Sequence, residues 1–356
     1  MAERTGRIMK RAMHTPAVVV TAVAAWMVSA AILSAQTVSA SGYTASVPVN
    51  VRLTVSGKMR DGQLVGRVDD KVVFTSAKGG QQVRVPVGRI DSAFFDVNPS
   101  RAEINDAVTA RNWGRAGILM LPVVRSLVPY LDLPQNNGVE LVRDAAGHLL
   151  KSTGFRLAAE THPALDAPAV QRAKSAFALY RGLGKASWSE LALVGEARAA
   201  EALLALGKRD MADVLIEKMA EPFPGDAAMG SYWMVRSHMA YADEAFADAL
   251  DAAARAICFA NKDIEIFPDA LLMSARCYER LESYYRARDV FYEVGTLFPA
   301  TAAGRTALVH LRGIRDAGHT SGKEPAPLVN VFFGVQENMN RNVSKLLNKA
   351  PPPVTE

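Results

Sequence analysis

Two cysteines and six histidines stand among scattered acids in this chain, and their spacing decides what chemistry is open to them. Cys258 and Cys277 are too few for a thiolate zinc site. Each falls in a helical stretch where a small buried hydrophobe is the ordinary role, although an oxidising compartment would leave a disulfide open. His148, His162, His238, His310 and His319 are scattered without metal-ligand spacing. Neither a G-x-S-x-G elbow nor an H-E-x-x-H pair occurs. Gly318 to Lys323 approaches a phosphate loop, but its glycines are one residue too close and Glu324 stands where Ser or Thr is needed. Asp243-Glu244 and the neighbours Glu279 and Glu282 read as solvated helix charges. No catalytic residue, metal or cofactor is therefore expected. An enzyme acting on glycan would need Glu201 or Glu279 opposite a second acid in a deep cleft.

What remains is binding, and the elements that would position it repeat. Ala200, Leu203, Ala212, Ile216, Met219 and Pro224 are each followed 75 residues later by Ala275, Tyr278, Ala287, Phe291, Val294 and Pro299. A third copy lies between them at Trp233, Phe246, Ala249 and Ala256. A period near 35 with small residues at helix crossings marks an α-α solenoid. Farther upstream, Asn112 caps a helix carrying Trp113, Ala116, Met120 and Val123, in the relative positions of Phe246, Ala249, Ala253 and Ala256. Pro122 should kink or shorten that helix. Ser100 and Glu103 form a capping box before it. Residues 137–185 depart from the pattern but read as two helices, the second capped by Asp166 with Pro168 near its start. Thr301 opens a further helix through Leu308, Leu311 and Ile314 that would cap the stack.

The run Ala275, Tyr278, Tyr284, Ala287, Phe291, Val294 and Pro299 resembles the tetratricopeptide repeat. In that family the first helix of each hairpin lines a concave groove. The resemblance places Glu201, Leu204, Met234, His238, Tyr241, Leu272, Arg276, Glu279 and Arg280 on that surface. Charges mixed with Tyr and Met suit an extended or helical peptide.

Before the helices, residues 47–96 alternate in the strand period: Val51, Leu53 and Val55, then Leu64 and Val68, Val72 to Phe74, Val83 to Val87, and Ile90 to Phe95. Asp61-Gly62, Asp69-Asp70 and Lys78-Gly79-Gly80 read as turns. Five short strands favour a small antiparallel barrel, and the order resembles the Sm-like or SH3-like barrels. Sm-like barrels often bind RNA, which gives a second alternative. Against it, no basic strand face with stacking aromatics is evident.

At the N-terminus Arg4, Arg7, Lys10 and Arg11 precede an apolar stretch from Pro16 to Ala35, followed by Val38-Ser39-Ala40. That is the layout of a signal peptide, or of an uncleaved anchor, and it puts the rest outside the cytoplasm. The segment carries +3 of the formal +5 charge, so nucleic-acid binding gains little support from the basic balance. Residues 317–327 read as a linker. Beyond it Leu328, Phe332, Val335, Met339, Val343, Leu346 and Leu347 mark an amphipathic helix over 328–349, which could fold back or self-associate. The expected plan is therefore a leader or anchor over 1–40, a small β-barrel over 41–98, a mainly helical solenoid over 99–316, a linker and a terminal helix. The expected function is a non-catalytic, exported scaffold of the periplasm or cell envelope. It would bind protein or peptide partners and no nucleic acid, touching membrane only through an uncleaved leader.

Overall fold

The computed structural model describes residues 43–96 and 101–323, apart from 160, 161, 163, 185, 187, 188, 220, 223–225, 262 and 264. The expected leader, Ser100 of the capping box and the terminal helix over 328–349 lie outside the described residues. Five strands come first: β1 (Tyr43–Val55), β2 (Lys58–Val68), β3 (Lys71–Ser76), β4 (Gln82–Pro86) and β5 (Ile90–Phe95). Along β1 the alternation expected from sequence holds, with Val49, Val51 and Leu53 buried and Asn50 and Arg52 exposed. Ser56 and Gly57, both at positive φ, close the β1–β2 hairpin, and this two-residue geometry matches strand twist.

Two sequence expectations change here. Asp61-Gly62 is not a turn, because both residues lie inside β2, with Gly62 paired to Ser76. A Cβ on Gly62 would stand 2.1 Å from the Thr75 carbonyl oxygen, so glycine serves close approach rather than reversal. Nor is the sheet a closed barrel: its order is β4-β3-β2-β1-β5, and β4 and β5 remain edges. A three-residue 3-10 turn, Val87–Arg89, carries the chain from one edge to the other. Closure is unnecessary because the free edge of β5 is satisfied by the helical part. Asn137 accepts from the Phe95 N–H at 2.7 Å and donates to the Phe95 carbonyl at 3.0 Å, as a neighbouring strand would.

Eleven α-helices follow among the described residues: α1 (Arg101–Thr109), α2 (Trp113–Leu127), α3 (Gly138–Lys151), α4 (Ala167–Leu183), α5 (Ser189–Ala205), α6 (Arg209–Lys218), α7 (Met229–Ala242), α8 (Phe246–Phe259), α9 (Ile266–Arg280), α10 (Tyr284–Leu297) and α11 (Ala302–Asp316). The capping residues act as their types require. Asn112, Asp166 and Thr301 each accept a backbone N–H in the first turn of α2, α4 and α11. Helix α2 continues past Pro122 to Leu127, so the proline does not shorten it.

Consecutive helices pack against each other except α6 and α7, and alternate helices also touch: α3 with α5, α5 with α7, α7 with α9, and α9 with α11. The helices therefore form a stack of hairpins in which α3, α5, α7, α9 and α11 share one layer. Repeat positions explain why. Ala200, Ala212, Ala275 and Ala287 are all wholly buried, letting helices cross closely, while Phe291 and Ile216 fill the gaps. The sheet joins the same core. Phe95 packs against Tyr130 with ring centroids 6.3 Å apart. Arg67 of β2 clasps Asp132 through two hydrogen bonds of 2.6 and 2.7 Å, a bidentate geometry that raises the guanidinium's affinity for its proton.

Candidate functional site

The shared layer encloses a cleft of about 580 Å³, within the range of ligand sites. Glu201 on α5 and Met234 on α7, both expected in the groove, line it. So do Glu265 and Asp269, which lie at the start of α9 and were not singled out from sequence. Three carboxylates thus share the cleft, and each is closed by a cation. Arg198 donates to Glu201 at 2.7 Å, Lys151 to Glu265 at 2.6 Å, and Arg156 to Asp269. Burial is the largest influence on Asp269 and pushes its carboxyl above the usual value despite Arg156. Burial also works against the Glu265 charge, but the Lys151 hydrogen bond and charge outweigh it and hold Glu265 below its ordinary range. Acid–base catalysis needs a carboxyl free to meet a substrate proton. These three are held in ion pairs instead.

The middle of the expected groove is already occupied. Residues 152–159, in the connection between α3 and α4, lie against α7 and α9. His238 Nδ1 lies 2.7 Å from the Leu157 carbonyl oxygen, and Arg276 Nη1 donates to the Ala158 carbonyl at 2.9 Å. Arg276 is 3 % exposed, and its guanidinium also stacks over Tyr241, 4.4 Å from the ring centroid. The Phe155 ring meets His162 at 4.5 Å and His238 at 6.2 Å between centroids. Burial lowers the His238 pKa to about 4, so its imidazole is neutral at pH 7.

The remaining expected residues divide by depth. Leu272 is wholly buried in the core and presents no surface. Leu204 is half-buried against the core. Glu279 Oε2 lies 2.8 Å from His310 Nδ1, tying α9 to α11. Arg280 is exposed, with its guanidinium 4.5 Å from the Phe246 ring centroid. Cys277 is buried and its thiol is pushed up to about 12 by desolvation; Cys258 is exposed, contrary to the expectation that both are buried, and neither is bridged.

Sequence reading missed Arg156, Asp269, Lys151 and Glu265 because they pair across 113 and 114 residues; Arg198, paired with Glu201 three residues away, carried a local signal that was passed over. A second local signal existed. Phe155 and Leu157 are large apolar residues in a stretch with neither helical nor strand period.

A second hollow, about 510 Å³, lies on the outer face of the sheet. It carries the exposed Phe94 beside the mutually paired Arg52 and Asp61. Among the described residues, no group of His, Cys, Asp and Glu is placed to hold a metal ion, and no helix is long and apolar enough to cross a membrane. Comparison of the chain with models of known protein families, with curated proteins and with solved structures finds no match.

Proposed function

We propose that this chain is a non-catalytic, exported adaptor of the cell envelope, in which a tetratricopeptide-like solenoid binds a protein or peptide partner along its inner layer. One observation carries the reading. Two successive inner helices hold a turn of non-helical polypeptide by its main-chain carbonyls, through His238 and Arg276. Main-chain recognition supplies affinity that is largely independent of sequence, and side-chain pockets beside it supply selectivity. One turn farther along the same helices, Tyr241, Glu279 and Arg280 remain half-buried or exposed, and they are the surface a partner would meet next. Export rests on the N-terminal basic and apolar residues alone.

The test is affinity capture from envelope fractions with the full chain and with a copy carrying Tyr241→Ala, Glu279→Ala and Arg280→Ala. A partner held by the first and released by the second is the expected result. A glycan-cleaving reading has one observation in its favour, the three carboxylates that share the cleft. Turnover of envelope glycan that disappears in Glu201→Gln or Asp269→Asn would overturn the non-catalytic reading.

A further inference from the structure

The segment that fills the inner layer has the features of a ligand. Ser152-Thr153-Gly154-Phe155-Arg156-Leu157-Ala158-Ala159 forms no helix or strand beyond tight turns. Phe155, Leu157 and Ala158 are 5 %, 6 % and 0 % exposed, so its apolar side chains are fully seated. Its basic side chain is read as well, since Arg156 pairs with Asp269 at the start of α9. Its carbonyls at Leu157 and Ala158 are taken by α7 and α9. In sequence these receptors lie far from the segment, at separations of 81, 113 and 118 residues.

We propose that residues 153–159 are a tethered competitor. They occupy the chain's own peptide seat, and an external peptide that can adopt the same turn, with an aromatic, a basic, an aliphatic and a small residue in succession, takes that seat by displacing them. This rests on the adaptor reading and adds its regulation and the ligand's side-chain pattern. A tether of this length presents its segment at an effective concentration on the order of millimolar. A partner carrying a single copy of the motif therefore binds weakly until the tether is loosened.

A fluorescein-labelled heptapeptide, Thr-Gly-Phe-Arg-Leu-Ala-Ala as in residues 153–159, is titrated by anisotropy into the full chain and into Phe155→Ala/Leu157→Ala, with a scrambled peptide as control. The expected result is binding at least about tenfold tighter to the double variant. Adding Asp269→Asn to that variant should weaken it by about tenfold, since the peptide arginine loses a charged partner. A folded double variant, checked by circular dichroism, that binds no better than the native chain overturns the proposal. Should the double variant melt, hydrogen exchange on the native chain decides. Faster exchange at the Phe155–Ala159 amides with saturating heptapeptide supports displacement, and unchanged exchange overturns it. A chain that captures an envelope protein yet ignores the heptapeptide in every form loses this inference and keeps the adaptor reading. Heptapeptide binding with no captured protein does the reverse.

Discussion

His238 is ordinary in sequence and unusual in place. In an unfolded chain its imidazole would titrate near 6.5, and in the folded chain it titrates near 4, principally because burial disfavours the charge. His162, Arg276 and Arg209 oppose that charge from neighbouring elements, while the Leu157 carbonyl favours it. Between the two values the unfolded chain binds more protons, so stability rises with pH there. The contribution is complete above about pH 6.5 and is lost as pH falls towards 4, at most about 3 kcal/mol. Urea midpoints at pH 7.5 and pH 5 should separate, and His238→Gln should narrow the gap. The buried Leu272 and the exposed Arg280 differ in a second measurable way. Leu272→Ala should cost about 2–5 kcal/mol in urea unfolding, from lost transfer energy plus the cavity left behind. Arg280→Ala should cost under about 1 kcal/mol, because an exposed guanidinium on a ring contributes little. Thiol titration of the native chain should count one fast cysteine, and Cys258→Ser should abolish it, since Cys277 is buried with its thiolate disfavoured.

At the scale of elements, the hairpins depend on where a side chain is missing. Gly195 on α5 faces the end of α4, and a Cβ there would stand 2.7 Å from Leu183 Cβ and 2.7 Å from the Tyr180 carbonyl oxygen. Backbone cannot retreat as a flexible side chain can, so Gly195→Ala should destabilise by about 1–3 kcal/mol through overpacking. Gly313 on α11 has open space around its would-be Cβ. Gly313→Ala should therefore stabilise by up to about 1 kcal/mol, from helix propensity and a less free unfolded chain. Thermal melts of the two variants should move in opposite directions. The alanines of the repeat register act by the same rule, because each marks a crossing where a larger residue would separate two helices.

At the scale of the molecule, the sheet and the helices form one continuous buried core, from Leu53 and Phe95 through Tyr130 to the later hairpins. Removing residues 43–96 would take Phe95 from Tyr130 and β1 from the side of α2. A chain beginning at Arg101 should therefore aggregate, or melt well below the full chain, when compared by sedimentation and circular dichroism. Asn137→Ala should have a milder effect of the same kind, about 1–3 kcal/mol, because Phe95 loses both of its edge partners.

Much of this architecture was legible because it is local. Capping by Asn112, Asp166 and Thr301, the two helices between residues 137 and 185, and the buried alanines at a fixed period all follow from backbone groups and side chains within a few residues of each other. Strand alternation put Val51 and Leu53 on one face for the same reason, and both are buried. Sequence alone could not show that Asp61-Gly62 continues a strand, since a glycine needed for close approach and one needed for a turn look alike until the facing strand is in place. Nor could it show that the sheet stays open, because Asn137, which satisfies its edge, comes from another element 42 residues away. The inner layer is the clearest case. The tetratricopeptide resemblance implied which side chains face inward, but only the tertiary structure decided that His238 and Arg276 meet the chain's own carbonyls and that Glu201, Glu265 and Asp269 share a cleft. Periodicity fixes a direction for each side chain. What lies in that direction is set by the free energy of closing long loops, and no local pattern records it.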